Sequence, residues 1–238
     1  MSNCYFQFKQ FKIEQGDCAM KVTTEGCILG GWVNSINPKR ILDIGTGTGV
    51  LSLMLAQRHN CPIDAVEIDE TTAKQALNNF QNSQWNETLN LYHQGIENFT
   101  SSCKHKYDLI ISNPPFFKSN LKSESKTKNL AIHDSSLPQE MILKAISILI
   151  TDHGKAFVIY PEYEAHQFLK LIQQFGMHCR TSLIIRNKPE GDIFRKVVEL
   201  SKSELSRSEF PEEFNIRNEQ NEFSHVYVEM LRPYYLHL

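Results

Sequence analysis

The stretch ILDIGTGTGVLSLMLAQR, residues 41–58, decides the fold. Ile41 to Ile44 form a short apolar run interrupted by one acid, three glycines follow at 45, 47 and 49, and Val50, Leu51, Met54 and Leu55 then recur at helical spacing. This predicts a buried strand, a tight turn and a helix. The glycines let backbone approach a ligand closely while the N–H groups of the helix start point at it. Outward from this unit the alternation repeats. PIDAVEID (62–69) reads as a strand, TTAKQALNNFQ (71–81) as a helix, and LNLYHQG (89–95) and KYDLIIS (106–112) as strands. Pro138 suits the first turn of a helix ending near residue 150, KAFVIY (155–160) is a fifth strand, and EAHQFLKLIQQF (164–175) another helix. Strands separated by helices at this spacing predict a mostly parallel sheet covered on both faces. HCRTSLIIRN (178–187) and IFRKVVELSK (193–202) flank PEGD with no helix between them, which predicts an antiparallel pair. The expected fold is α/β: a doubly wound, mostly parallel seven-stranded sheet with an antiparallel C-terminal strand.

The flanks are less regular. Phe6, Phe8 and Phe11 alternate with polar residues in an extended lead, and read as core, with stacking on nucleic-acid bases as their alternative use. Thr23 or Thr24 caps a helix through Ile28, Leu29 and Trp32 that ends before Pro38. SHVYVEMLRPYYL (224–236) reads as a helix capped by Ser224, with a strand at VYVEML as the alternative. At 238 residues, 41% hydrophobic and 22% charged, one domain is expected, with a lead over 1–38, a core over 39–202 and an extension over 203–238.

No segment approaches the ~18 consecutive apolar residues of a membrane span, and MSNCYFQFKQFKIEQ lacks the basic-then-apolar layout of a secretory signal, so a cytoplasmic location is expected. Six cysteines, with no C-x-x-C pair and no histidine at ligand spacing, encode neither a zinc site nor a disulfide framework. A net charge of −2 leaves no overall footprint for a polyanion, so any such partner needs local basic patches. Lys118, Lys122, Lys126 and Lys128, facing only Glu124, form one candidate, whereas 190–222 is acid-rich.

Two sites carry chemistry. In the first, the G-x-G-x-G spacing departs from the G-x-G-x-x-G dinucleotide fingerprint. Glu67 ends the second strand about 20 residues on, where a carboxylate can accept from both ribose hydroxyls. Asp43 would repel a pyrophosphate but suits the amino group of an amino-acid-like ligand. A nucleoside joined to an amino acid is S-adenosylmethionine. The motif resembles motif I of the Rossmann-like (class I) methyltransferases. That resemblance implies that Asp43 and the loop at Gly45 and Gly47 hold the methionine end and Glu67 the ribose, with Gly49 a further member of the cofactor-binding loop. Many such enzymes place an acid after the third strand to bind the adenine amine; here Gln94 replaces it, or Ile68 and Ile96 hold the ring alone.

The second site is IISNPPFF, residues 110–117. The fourth strand is expected beside the first, so its end opens onto the same crevice. Asn113 offers an amide oxygen there. Pro114 and Pro115 stiffen the backbone and remove two N–H donors, leaving the Pro114 carbonyl as a second acceptor. Two adjacent acceptors match one –NH2 group, and Phe116 offers a face on which a planar ring can stack, worth ~1–3 kcal/mol per base. The motif resembles the [Asn/Asp]-Pro-Pro-[Tyr/Phe] signature of amino methyltransferases, which act on adenine N6, guanine N2 or glutamine N5.

Glutamine-N5 enzymes carry a sizeable helical domain ahead of the glycine loop, whereas 42 residues precede Asp43 here. FQFKQFKIEQGDCAMKVTTEGCILGGW (6–32), the glycine loop, NPPFF, the Ser/Lys loop to His133 and the closing YYL together resemble the bacterial tRNA1(Val) (adenine-37-N6)-methyltransferase family across nearly the whole chain. The resemblance implies that Lys21 to Gly26, Lys21 and Thr24 among them, pack over S-adenosylmethionine. Lys118, Lys122, Lys126 and Lys128 read as contacts to the phosphates of a tRNA substrate, with a solvated loop as the alternative, and Phe117 and His133 as facing that RNA, with packing or capping as the alternative. The resemblance implies no metal; a monomer is assumed. A guanine-N2 methyltransferase of ribosomal RNA, a glutamine-N5 protein methyltransferase and a non-catalytic RNA-binding protein on the same fold are the alternatives.

Overall fold

The computed structural model describes residues 4–18, 20–33, 37–115, 137–205 and 211–238. The lead is a hairpin of β1 (Tyr5–Gln7) and β2 (Lys12–Glu14), followed by α1 (Thr24–Trp32). The alternating region then gives β3 (Ile41–Ile44), α2 (Val50–Ala56), β4 (Ile63–Glu67), α3 (Glu70–Gln81), β5 (Leu89–His93), α4 (Ile96–Ser102) and β6 (Tyr107–Ser112). Next come α5 (Gln139–Leu149), β7 (Ile150–Tyr160), α6 (Glu162–Ile172), β8 (His178–Arg186), β9 (Ile193–Ser201), β10 (Glu212–Asn215) and α7 (His225–Leu231).

The large sheet runs β10-β8-β9-β7-β6-β3-β4-β5. β5, β4, β3, β6 and β7 run parallel to one another, and β9 lies antiparallel to both β7 and β8. The chain winds outward from β3 in both directions, so the strand order reverses there and opens a crevice at the carboxyl ends of β3, β4 and β6. Two cores cover the sheet. One packs residues of α1, α2, α3 and α7 against one face, and the other packs α4, α5 and α6 against the opposite face. β3 is buried along its whole length, which explains an apolar run without polar alternation.

All seven expected strands form, and an eighth is added. β10 pairs parallel with β8 at the sheet edge. Its sequence EEFN carries a single buried apolar residue, Phe214, and its two acids are taken up by Trp32 Nε1, which donates to Glu212 at 3.0 Å, and by Arg186 Nε, which donates to Glu213 at 2.5 Å. The helix α4 likewise carries only Ile96 and Phe99 into the core. The tail is helical: Ser224 Oγ accepts from Tyr227 N–H and caps α7. α1 is buried nearly all round, and its glycines permit this. Gly30 sits against Met54 of α2, and Gly31 against Met230 and Leu231 of α7, where a Cβ would clash. Phe8 and Phe11 are buried and stack on each other at 4.5 Å, the core use of those rings.

Candidate active site

β3 and β4 deliver the first half of the site. Asp43, near the end of β3, is wholly buried. Its Oδ2 accepts from Thr46 Oγ1 at 2.6 Å and Ser52 Oγ at 2.8 Å, while Oδ1 is buried with no partner. Burial raises this carboxyl, the hydroxyls of Thr46 and Ser52 partly offset the rise, and Glu67 nearby adds to it, for a net value of about 6. A buried carboxylate with one orphaned oxygen is an unfilled acceptor for a cation.

The glycines divide into two kinds. Gly45 and Gly47 have φ of +70° and +58°, and nothing lies within 4 Å of where a Cβ would project, so the backbone there lines open space. Gly49, at φ +84°, caps α2, and a Cβ on it would run into the Phe80 ring of α3. Its lack of a side chain lets α3 pack close behind the loop. Asn79, also on α3 and buried, donates to the Thr48 carbonyl and to the Glu14 carbonyl, both at 2.9 Å, and accepts from Glu14 N–H. It thereby ties the glycine loop to the lead hairpin.

Glu67, at the end of β4, is held by backbone. Its Oε2 accepts from Gly47 N–H at 3.0 Å, and its Oε1 from Ile68 and Asp69 N–H at 2.9 and 3.0 Å. Ile68 beside it is 73% exposed, an apolar side chain offered to the cleft. Ile96 is buried within the α4–α6 core, so Ile68 is the exposed member of that pair. Gln94 is half-buried, with its N–H bonded to the Glu67 carbonyl at 3.0 Å. The segment between β2 and α1 crosses this region. Gln15 accepts from Val22 N–H, and Asp17 N–H donates to Gln75 on α3. Burial first, then the charges of Glu67, Asp17 and Asp69, push the Cys18 thiol up to about 11, in keeping with this segment lying near the Glu67 carboxylate. Lys21 is partly buried in it, and Thr24 is exposed at the start of α1.

β6 delivers the second half. It pairs directly with β3, Asp43 opposite Ile111, and Ser112 Oγ donates to the Ile44 carbonyl at 2.8 Å, clamping the two strand ends together. Asn113 therefore emerges one strand from the glycine loop. Its Nδ2 faces Thr23 Oγ1 at 3.4 Å, and its Oδ1 is buried and unpartnered. Pro114 is buried and Pro115 partly so. Phe116, Phe117, Lys118, Lys122, Lys126, Lys128 and His133 lie outside the described residues. Among the described residues, no helix is long and apolar enough to cross a membrane.

Thr46, Ser52, Asn79 and Ser112 carry no motif signature. The one signal available for Asn79 was a polar residue between Ala76 and Phe80 on the buried stripe of α3.

Comparison with known proteins matches this arrangement to a class. Residues 31–181 match the family described as "Methyltransferase small domain". A predicted O-methyltransferase from Agrobacterium tumefaciens superposes with a TM-score of 0.63 over 87% of this chain and 95% of its own, at 15% identity. The ribosomal protein L11 methylase from Lactobacillus delbrueckii superposes with a TM-score of 0.53 over 78% and 82%, at 16% identity. The fold and its crevice are those of the Rossmann-like, S-adenosylmethionine-dependent methyltransferases. Two full-length relatives narrow this. The tRNA1(Val) (adenine(37)-N6)-methyltransferase of Cytophaga hutchinsonii is 38% identical over 100% of both chains, and that of Trichodesmium erythraeum is 38% identical over 99% of both. The chain belongs to the tRNA1(Val) (adenine(37)-N6)-methyltransferase family.

The residues present fit the cofactor of this class. S-adenosylmethionine joins an amino acid to a nucleoside through a sulfonium. The crevice offers an orphaned buried carboxylate oxygen, open space over Gly45 and Gly47, a carboxylate at the end of β4 and an exposed apolar side chain next to it.

Proposed function

We propose that this protein methylates the exocyclic N6 amine of adenine 37 in tRNA1(Val), with Asn113 and Pro114 receiving the amine. The observation that carries the reading is the buried, unpartnered Oδ1 of Asn113 at the end of the strand beside the glycine loop. The full-length likeness to enzymes named for that base supports the choice of substrate.

When bound, S-adenosylmethionine supplies an electrophilic methyl carbon on its sulfonium. Asp43 and the backbone at Gly45 and Gly47 would hold its amino-acid end, with Gly49 shaping the loop. Glu67 would hold its ribose, and Ile68 and Gln94 would border its adenine, with Ile96 beneath as packing. Lys21 and Thr24 belong to the segment over the crevice.

The amine of adenine is a weak nucleophile because its lone pair is delocalised into the ring. Asn113 Oδ1 and the Pro114 carbonyl accept its two hydrogens in fixed directions, which draws the nitrogen toward tetrahedral geometry and frees the lone pair for attack. Neither acceptor is a base, so the proton released after transfer leaves to water. Phe116 would stack on the flipped base, and Phe117, the four lysines and His133 would meet the surrounding RNA.

The reading is tested by incubating the protein with unmodified bulk tRNA and labelled cofactor and mapping the product. N6-methyladenosine at position 37 of tRNA1(Val) is expected. No label in tRNA, with N2-methylguanosine formed on ribosomal RNA or methylated glutamine on protein offered in its place, would replace it with another amine substrate.

A further inference from the structure

The Thr23 hydroxyl has two partners. Its oxygen accepts from Gly26 N–H at 3.2 Å, capping α1, and from Asn113 Nδ2 at 3.4 Å. A hydroxyl has two acceptor lone pairs, and both are used here. The second partner lies 90 residues away, at the end of β6.

A primary amide has an accepting side and a donating side of nearly the same shape. If the crevice is to receive an amine, the oxygen must face it, because an –NH2 group turned that way would oppose the hydrogens of the substrate. Asn113 Oδ1 is the buried atom left without a partner, and Nδ2 is the one engaged by Thr23. We propose that Thr23 is a positioning residue for methyl transfer: by accepting from Asn113 Nδ2 it fixes the amide with its oxygen toward the substrate amine. This rests on the reading of Asn113 given above.

The surroundings make Thr23 a firm support. A Cβ on Gly26 would lie 3.3 Å from both Asn113 Nδ2 and Thr23 Oγ1, so a glycine keeps the space in which they meet. The first turn of α1 is tied to β9 by the Glu25–Arg195 ion pair at 2.9 Å, with the Arg195 guanidinium 4.1 Å over the Phe194 ring. At the other end, Arg58 donates to the carbonyls of Gly30, Gly31 and Val33. The helix is anchored at both ends, and its cap hydroxyl is aimed at the amide.

Glycine is nearly as good an N-cap as threonine, so Thr23→Gly keeps the helix start while removing the acceptor. It is expected to lower single-turnover methylation of tRNA about tenfold at saturating cofactor. Thr23→Ser, which keeps the hydroxyl, restores turnover. The distinguishing measurement uses Asn113→Asp. A carboxylate has two equivalent oxygens and nothing to orient, so adding Thr23→Gly there should change turnover by less than about twofold. An equal proportional loss in both backgrounds, or no loss in the native one, overturns the inference. A second readout needs no activity: the Asn113 side-chain NH2 should exchange slowly in the native protein and in Thr23→Ser but rapidly in Thr23→Gly, and rapid exchange in the native protein contradicts the contact. Full turnover by Asn113→Ala would instead remove the underlying role of Asn113.

Discussion

Glu67 Oε2 accepts from the backbone N–H of Gly47 at 3.0 Å, so the carboxylate at the end of β4 and the glycine loop after β3 form one unit. Its other oxygen is fixed by the N–H groups of Ile68 and Asp69. In Glu67→Gln one of the two oxygens becomes an –NH2, which must face a backbone donor on one side or the other. The loop then loses its partner, or the turn into α3 does. Cofactor affinity should fall roughly 10- to 100-fold by calorimetry.

Asp43 carries a pH dependence with a definite sign. Its carboxyl is raised to about 6 from an ordinary 3.8, chiefly by burial. The folded form therefore holds the proton more tightly than the unfolded chain does, and this group's contribution to stability is fully present below about pH 3.8 and lost as the pH rises through about 6. A cationic amino group needs the ionised form. Affinity for S-adenosylmethionine should accordingly weaken as the pH is lowered from 7 to 5, in calorimetric titrations. Asp43→Asn should melt higher than the native protein at pH 7, bind cofactor poorly and show no such pH dependence; an unchanged native profile would remove Asp43 from the cofactor site.

Gly47 and Gly49 should respond differently to alanine. Gly47→Ala carries a left-handed strain of about 1–2 kcal/mol and places a methyl group in the open crevice, so cofactor binding should suffer most. Gly49→Ala adds a collision with Phe80, so the melting temperature should fall further than for Gly47→Ala. Thermal melts with and without cofactor separate the two.

At the other end of β4, Asp64 is fully buried and accepts from Arg40, Asn90 and Tyr107. Asp64→Ala leaves three donors without their shared acceptor and should destabilise the fold by about 3–5 kcal/mol in urea titrations. Turnover at saturating cofactor should be retained while the protein stays folded, since this network lies at the opposite end of the strand from Glu67.

The parts of this fold legible from sequence are those in which a local pattern dictates the outcome. β3, the glycine loop and α2 follow from a change of hydrophobic period across residues 41–58, and the place of Asn113 follows from β6 lying next to β3. β10 was hidden because EEFN has one buried residue and is held by partners at Trp32 and Arg186. Thr23 was legible as a cap but not as the partner of Asn113, and the Glu25–Arg195 pair joins residues 170 apart. Such contacts come from topology, which brings distant segments to one edge of the sheet, and no local period records them. For Asn79 the sequence shows a polar residue on an apolar stripe but not the two loops it joins.

The most direct test of the account compares Asn113→Ala with the native protein on unmodified tRNA1(Val), measuring single-turnover methylation and cofactor Kd together. The account predicts that turnover falls by about 100-fold or more while Kd stays within about threefold, because the lost oxygen meets the substrate amine and not the cofactor. Turnover equal to that of the native protein would contradict it.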